Sequence, residues 1–214
     1  MRFPIALILA TAAMSAPAQP SSRVADTSGI KVSPGYSVTV YAAGLAEPRG
    51  LLFTPAGDLY VAEQGSGDVS KISPNGELLV CELYSGRVVA YKGQAFSRVV
   101  ASGLNWPHGL AFHPSGAIFV NENQGNRIVR VDPDGTVRPF AQVPRPVGLV
   151  LAKSGNLFVA QPQVGRISRV APDGRVTVLL ENLKEPRDPA FDAAGNLYFA
   201  ETLAGRVIKL TGEF

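Results

Sequence analysis

The sequence predicts an all-β fold, a β-propeller of four to five blades with one blade incomplete. Three observations carry this: an internal repeat of about 40 residues, four short strand-like runs in each repeat, and a surplus of turn residues. Aligning Pro48-Arg49-Gly50-Leu51, Pro107-His108-Gly109-Leu110, Pro146-Val147-Gly148-Leu149 and the degenerate Pro186-Arg187-Asp188-Pro189 gives steps of 59, 39 and 40 residues. A second column, Gly57-Asp58-Leu59-Tyr60-Val61, Gly76-Glu77-Leu78-Leu79-Val80, Gly116-Ala117-Ile118-Phe119-Val120, Gly155-Asn156-Leu157-Phe158-Val159 and Gly195-Asn196-Leu197-Tyr198-Phe199, steps by 19, 40, 39 and 40. A fixed period of this size marks a repeat architecture, and four strands per period mark propeller blades. The chain has 22 Gly and 17 Pro in 214 residues, well above average usage but below that of low-complexity chains, so the excess supplies turns.

Taken in order, Met1 to Ala18 reads as a secretory signal. Arg2 precedes the apolar run Ile5-Ala6-Leu7-Ile8-Leu9-Ala10, and Ala16-Pro17-Ala18 offers small residues at the cleavage positions. The run is too short to span a bilayer as a helix. Export to the periplasm or the medium is expected, with cleavage after Ala18 and no membrane association afterwards. Residues 19–34, rich in Ser, Pro and Gly, read as a flexible lead-in, and residues 35–214 as the propeller.

Within a unit, the apolar stretch after the proline, such as Gly109-Leu110-Ala111-Phe112, is the first strand. A turn such as His113-Pro114-Ser115-Gly116 leads to the second strand, which ends at the column Gly67, Gly86, Asn126, Gly165 and Gly205. Gly and Asn adopt a left-handed backbone most cheaply, so this column marks a tight turn. The third strand follows, as at Ile128, and closes in a turn such as Asp132-Pro133-Asp134-Gly135, where proline presets φ and glycine supplies φ > 0. Thr136-Val137-Arg138-Pro139-Phe140 is then a fourth strand.

The two ends complement each other. Ser37-Val38-Thr39-Val40-Tyr41 reads as a fourth strand without its first three, and the last unit stops after its third strand at Arg206-Val207-Ile208-Lys209-Leu210. The N-terminal strand is therefore expected to complete the C-terminal blade and close the ring, leaving no long exposed edge. One unit is short. Between Glu63 and Glu82 about two strands are missing, and Ser73 to Leu83 fits two templates at once, so about 18 strands are expected: four full blades and a hairpin, or five blades with one defective.

Composition excludes several function classes. The 20 basic and 17 acidic residues are scattered, which argues against a nucleic-acid partner. The single cysteine, Cys81, lies in the strand-like run Leu78-Leu79-Val80-Cys81, and excludes an intrachain disulfide and a cysteine-ligated zinc site. No Ser/His/Asp or Cys/His pattern and no phosphate-binding glycine loop is present. No cofactor is expected, and the chain is expected to be a monomer.

Register supplies the candidate site. The residue after the repeat proline is Arg49, His108, Val147 or Arg187, and fourteen residues later stands Glu63, Glu122, Gln161 or Glu201, with Glu82 from the short unit. One strand up, a turn and one strand down return both positions to the same end of the blade on its two inner strands. Arg49, Glu63, Glu82, His108, Glu122, Gln161, Arg187 and Glu201 are thus expected around one channel mouth. Two uses are open: ion pairs that fasten blade to blade, or a pocket for a small polar or anionic ligand with arginines as bidentate anchors. A protein partner at the same face is the related expectation. The uncharged Val147 and Gln161 make the ring asymmetric.

The pattern Pro-x-Gly-Leu-Ala, then Gly-Asn-Leu-Tyr-Val-Ala-Glu, then Gly-Arg-Val or Asn-Arg-Ile resembles the NHL repeat, best at Pro107 to Val131 and Pro146 to Val170. The resemblance covers about Ser37 to Leu210. The related gluconolactonase-like (senescence marker protein) and virginiamycin B lyase propellers carry similar repeats. Such resemblance implies a ligand site at the mouth of the central channel, but no single activity. The virginiamycin B lyase likeness implies an alternative, a small-molecule lyase or hydrolase with His108 and Glu122 as its acid-base pair, although that family's further histidine and metal-binding acid have no counterpart. The gluconolactonase-like family holds a divalent cation partly through the residue after the repeat proline. Here those places are Arg, His, Val and Arg, and the two arginines repel a cation, so no metal is expected.

Overall fold

Short alternating runs separated by φ-positive turns leave the backbone one economical arrangement, the antiparallel meander. The computed structural model describes residues 29–43, 51–53, 59–61, 70–72, 78–92 and 95–214. The expected signal, residues 19–28 of the lead-in, Arg49 and Glu63 lie outside the described residues.

The strands are β1 (Lys31–Val32), β2 (Ser37–Ala43), β3 (Leu51–Phe53), β4 (Leu59–Val61), β5 (Ser70–Ile72), β6 (Leu78–Glu82), β7 (Arg87–Lys92), β8 (Ala95–Ala101), β9 (Pro107–Phe112) and β10 (Ile118–Glu122). They continue as β11 (Arg127–Val131), β12 (Val137–Gln142), β13 (Leu149–Leu151), β14 (Leu157–Gln161), β15 (Arg166–Val170), β16 (Val176–Glu181), β17 (Pro186–Phe191), β18 (Leu197–Glu201) and β19 (Arg206–Thr211). They form the blades β3-β4, β5-β6-β7-β8, β9-β10-β11-β12 and β13-β14-β15-β16, with a last blade β17-β18-β19-β2. The architecture is a β-propeller, and among the described residues β2 through β19 make eighteen strands, the number expected. The short unit is the hairpin β3-β4, and Ser70–Ile72 serves as the first strand of the following blade. That resolves the double template, because Leu78–Glu82 takes the place of a second strand.

Ring closure follows the expected route. β2 pairs antiparallel with β19 from Ser37↔Thr211 to Ala43↔Arg206, supplying the missing outer strand of the C-terminal blade. The end of the lead-in is also tied down. β1 adds to the outer edge of β16 through Lys31↔Glu181 and Val32↔Leu180, and Ser33 donates from its amide to Leu179 O at 2.9 Å and from Oγ to Val178 O at 2.9 Å. An open strand edge offers unpaired N–H and C=O groups, which β1 satisfies.

Both faces of each central blade are buried. In β10, Ile118 and Val120 pack toward the β5–β8 blade with Leu79, Val88 and Leu110, while Phe119 packs toward the β13–β16 blade with Leu149 and Val159. In β14, Leu157 and Val159 point one way, and Phe158 and Ala160 point the other way, against Leu197 and Phe199. Strands sandwiched between neighbours read as nearly continuous apolar runs, the physical origin of the 17% charged fraction. Cys81 is buried in one of these layers and forms no disulfide.

The inner strands pack around the axis, β9 against β13, β13 against β17 and β17 against β3. This explains the glycine of the Pro-x-Gly-Leu motif. A Cβ on Gly109 would stand 2.4 Å from Val147 O, and one on Gly148 would stand 2.7 Å from Asp188 N. Neighbouring backbones occupy the space a side chain would need.

Candidate functional site

The ladder brings two of the repeat prolines opposite their glutamates, Pro107↔Glu122 in β9/β10 and Pro186↔Glu201 in β17/β18. The two columns therefore share one end of the blades. The side chains then diverge. Glu122 is fully buried; its Oε1 accepts from the Asn105 amide at 2.6 Å and its Oε2 from Arg127 Nε. Glu201 is fully buried in the same way, accepting from the Lys184 amide at 2.5 Å and from Arg206 Nε at 2.5 Å. Glu82 accepts from Arg87 Nη2 at 2.6 Å and from Ser85 Oγ at 2.7 Å. In all three blades the arginine lies five residues on, just past the left-handed turn at Gly86 (φ 64°), Asn126 (φ 53°) or Gly205 (φ 57°).

Gln161 follows from the same geometry. The residue seventeen upstream, which is Asn105 or Lys184 in the other blades, is here Pro144, with no N–H to give a carboxylate. The amide of Gln161 reverses the bond, its Nε2 donating to Pro144 O at 2.8 Å while its Oε1 accepts from Ser168 Oγ at 2.6 Å. Arg166, freed from this duty, pairs with Glu181 at 2.8 Å. The uncharged blade thus has a local backbone cause.

The glutamate column fastens the loop that precedes each first strand. That loop carries a non-glycine residue in the left-handed region just before the repeat proline: Trp106 (φ 56°), Arg145 (φ 47°) and Glu185 (φ 57°). Such backbone costs about 1 kcal/mol or more per residue and persists only where surrounding bonds hold it. The carboxylate or amide clamp supplies those bonds, and the loop then aims the residue after the proline.

Electrostatics agree. The Arg127 guanidinium is pushed up from its ordinary value chiefly by its hydrogen bond to Glu122. Glu82 is held below the ordinary 4.5 chiefly by its hydrogen bond from Ser85, which outweighs the opposing effect of burial, with Arg87 adding to the lowering. A depressed carboxylate contributes stability above its ordinary value that is lost as pH falls through the lower folded one. Glu82→Gln is therefore expected to flatten the fall in stability below about pH 4.5, read by urea unfolding at pH 5 and pH 3.

The residues after the proline occupy the inner wall. A register shift between Val120 and Glu122 leaves His108 and Gly109 together opposite Asn121. His108 is half-buried with its Nδ1 shielded, and both Glu122 oxygens are bonded to groups other than its ring. Val147 is buried. Arg187 pairs across the ladder with Ala200; its side chain is 17% exposed, its Nη2 lies 3.7 Å from Glu185 Oε1, and its buried Nε has no hydrogen-bond partner. His113, the only other histidine, sits at the far end of β9, its Nδ1 2.8 Å from Ser115 Oγ. Among the described residues, no three His, Cys, Asp or Glu side chains are placed to share a metal ion.

The sequence did not point to the bonds that two sets of residues make. The arginines five residues after the glutamates were visible in the Gly-Arg-Val motif as a column. Asn121 was visible as the one amide in a column otherwise Ala62, Cys81, Ala160 and Ala200.

The fold is a β-propeller whose described first strands carry His108, Val147 and Arg187 at equivalent register. No family model and no curated protein matches the chain. Solved structures similar to it include virginiamycin B lyase from Staphylococcus aureus with quinupristin, at 18% identity over 77% of this chain and 66% of that one, TM-score 0.57. A gluconolactonase-like protein is 14% identical over 85% and 94% of the two chains, TM-score 0.55. The PQQ-bound aldose sugar dehydrogenase from Streptomyces coelicolor is 14% identical over 86% and 100%, TM-score 0.66. The chain spans 65% of the length of a streptogramin B lyase and 66% of the S. aureus enzyme. These likenesses establish the fold.

Proposed function

We propose that this chain is an exported NHL-type β-propeller that binds a small anionic ligand at the mouth of its channel without transforming it. The observation that carries the reading is Arg187. A guanidinium on the innermost strand, mostly shielded from water and holding a buried Nε donor with no acceptor, lacks one charge-assisted bond that a carboxylate or phosphate oxygen supplies. His108 stands at the equivalent register two blades away, and the sequence places Arg49 in the same column. That similar propellers are described with quinupristin or PQQ bound fits a small-molecule site.

The alternative, lyase or hydrolase chemistry by His108 and Glu122, asks Glu122 to give up both its bonds and leave Arg127 without its partner. The binding reading leaves Glu122 and Arg127 bonded as they stand and asks only that the shielded Arg187 guanidinium turn toward the ligand.

Calorimetric titration of the mature protein with succinate, malate and gluconate tests the proposal. At least one anion is expected to bind, and Arg187→Ala is expected to weaken it about tenfold or more, the scale of a lost charge-assisted bond. Unchanged affinity in that variant, or no binding by any of them, overturns the reading.

A further inference from the structure

On the same end of the blades as the glutamate column, two exposed aromatic side chains meet. Tyr84, in the turn between β6 and β7, is 88% exposed and Trp106, in the loop before β9, is 36% exposed, so a ligand can reach both. Their ring centroids lie 5.6 Å apart at 73°, an edge-to-face corner. Backbone bonds hold the corner in place. The Leu104 amide donates to Gly86 O at 2.9 Å, tying the two loops together, and Trp106 O accepts from the Asn123 amide at 3.0 Å. Asn123 Nδ2 donates to Pro146 O at 3.2 Å, and Asn126 Oδ1 accepts from the Arg145 amide at 3.0 Å. The turn at 123–126 therefore holds the loop of Trp106 beside that of Arg145.

Backbone cost marks these two side chains as wanted. The left-handed turns at Gly86, Gly165 and Gly205 use glycine and a fourth uses Asn126, whereas Trp106 (φ 56°) and Arg145 (φ 47°) hold large side chains in the same conformation. Strain of this kind concentrates at functional sites. Glu185, the third member of that column, reaches Arg187. Arg145 is exposed and has no ion pair among the described residues.

The surroundings select the occupant. The carboxylates of Glu82 and Glu122 are bonded to Arg87 and Arg127, so the charge this sector offers is the Arg145 guanidinium, which suits a carboxylate. On the same loops stand the exposed polar residues Ser85, Asn105 and Gln124. A floor of two rings bordered by a hydroxyl and amides suits a pyranose, which has one apolar C–H face and a rim of hydroxyls. A protein partner asks for a larger apolar centre.

We infer that this corner binds a uronic-acid oligosaccharide: a sugar ring packs its C–H face against Trp106 and Tyr84, and a carboxylate of the same chain meets Arg145. A polyuronate repeats its carboxylate on every unit, so one short chain serves rings and guanidinium on adjoining loops. The site is separate from Arg187, and either can fail alone.

Trp106 is the only tryptophan of the chain, so its emission reports on this corner. Trigalacturonate is expected to shift that emission saturably and to bind about fivefold to tenfold tighter than neutral maltotriose, the scale of one charge-assisted bond. Arg145→Asn, which suits a left-handed backbone, is expected to erase the preference. Tyr84→Ala, at an exposed turn residue, is expected to weaken both sugars about fivefold. Trp106→Gly, also suited to its backbone, is expected to abolish binding in calorimetry. No shift with either sugar, or affinities unchanged by Tyr84→Ala, overturns the inference. Equal binding of the two sugars, or a preference that survives Arg145→Asn, overturns the carboxylate assignment. Triglutamate bound as tightly as trigalacturonate makes the corner a peptide site and overturns the saccharide reading. Displacement of trigalacturonate by malate would merge this site with that of Arg187 and overturn their separation.

Discussion

Arg206→Ala is expected to destabilise the protein by about 3–5 kcal/mol, because it strands the fully buried Glu201 carboxylate with only the Lys184 amide for company. That is a large fraction of the roughly 5–15 kcal/mol that holds a typical domain together. The same loss is expected to be smaller for Arg127→Ala, since Arg127 is 37% exposed where Arg206 is 16% exposed, and water reaches the vacated site more readily. The double variant Glu201→Gln with Arg206→Ala should recover part of the loss, since it removes the stranded charge and approaches the arrangement that Gln161 already uses. Urea unfolding of the three variants measures this. An Arg206→Ala loss below about 1 kcal/mol would place the glutamate column outside the architecture.

Deletion through Ala43 is expected to cost still more. It removes β2, the outer strand of the last blade, uncovers the β19 edge, and takes away Tyr36 and Val38, which pack on the Phe158–Phe199 layer. The strand also joins the C-terminal blade to the start of the chain, so its loss weakens the ring's closure as well as shortening a blade. A truncated chain lacking residues 1–43 should show no cooperative thermal transition, or one lowered by well over ten degrees, on the scale of about 4–8 °C per kcal/mol in small domains. A chain beginning at residue 35, which keeps β2 and loses β1, should stay close to the full protein. Similar behaviour of the two truncations would mean that β2 does not close the ring.

The fold was legible because the repeat period, the turn residues and the two incomplete ends are backbone statements. Left-handed Asn126 and Gly165, the hairpin at β3-β4 and the pairing of Ser37–Ala43 with β19 all follow from them. The candidate site was legible only to the register. Equal spacing put Glu122 beside Pro107 and Glu201 beside Pro186, as the ladders have it. What spacing could not give was the choice of partner. A bulge turned His108 and Gly109 toward Asn121, and an arginine five residues away in the same hairpin outcompeted any cross-blade cation for Glu122 and Glu201. The reason Gln161 is not a glutamate lies seventeen residues away in the missing N–H of Pro144, a dependence visible only once the loop is seen against the strand end.

The separation between fastening glutamates and a ligand-facing guanidinium is tested most directly by a crystal structure of the mature protein grown with malate. The anion should lie with a carboxylate on Arg187, while Glu122 and Glu201 stay bonded to Arg127 and Arg206. Density for the anion away from Arg187, or carboxylates of Glu122 and Glu201 turned out into the channel to meet it, would contradict that separation.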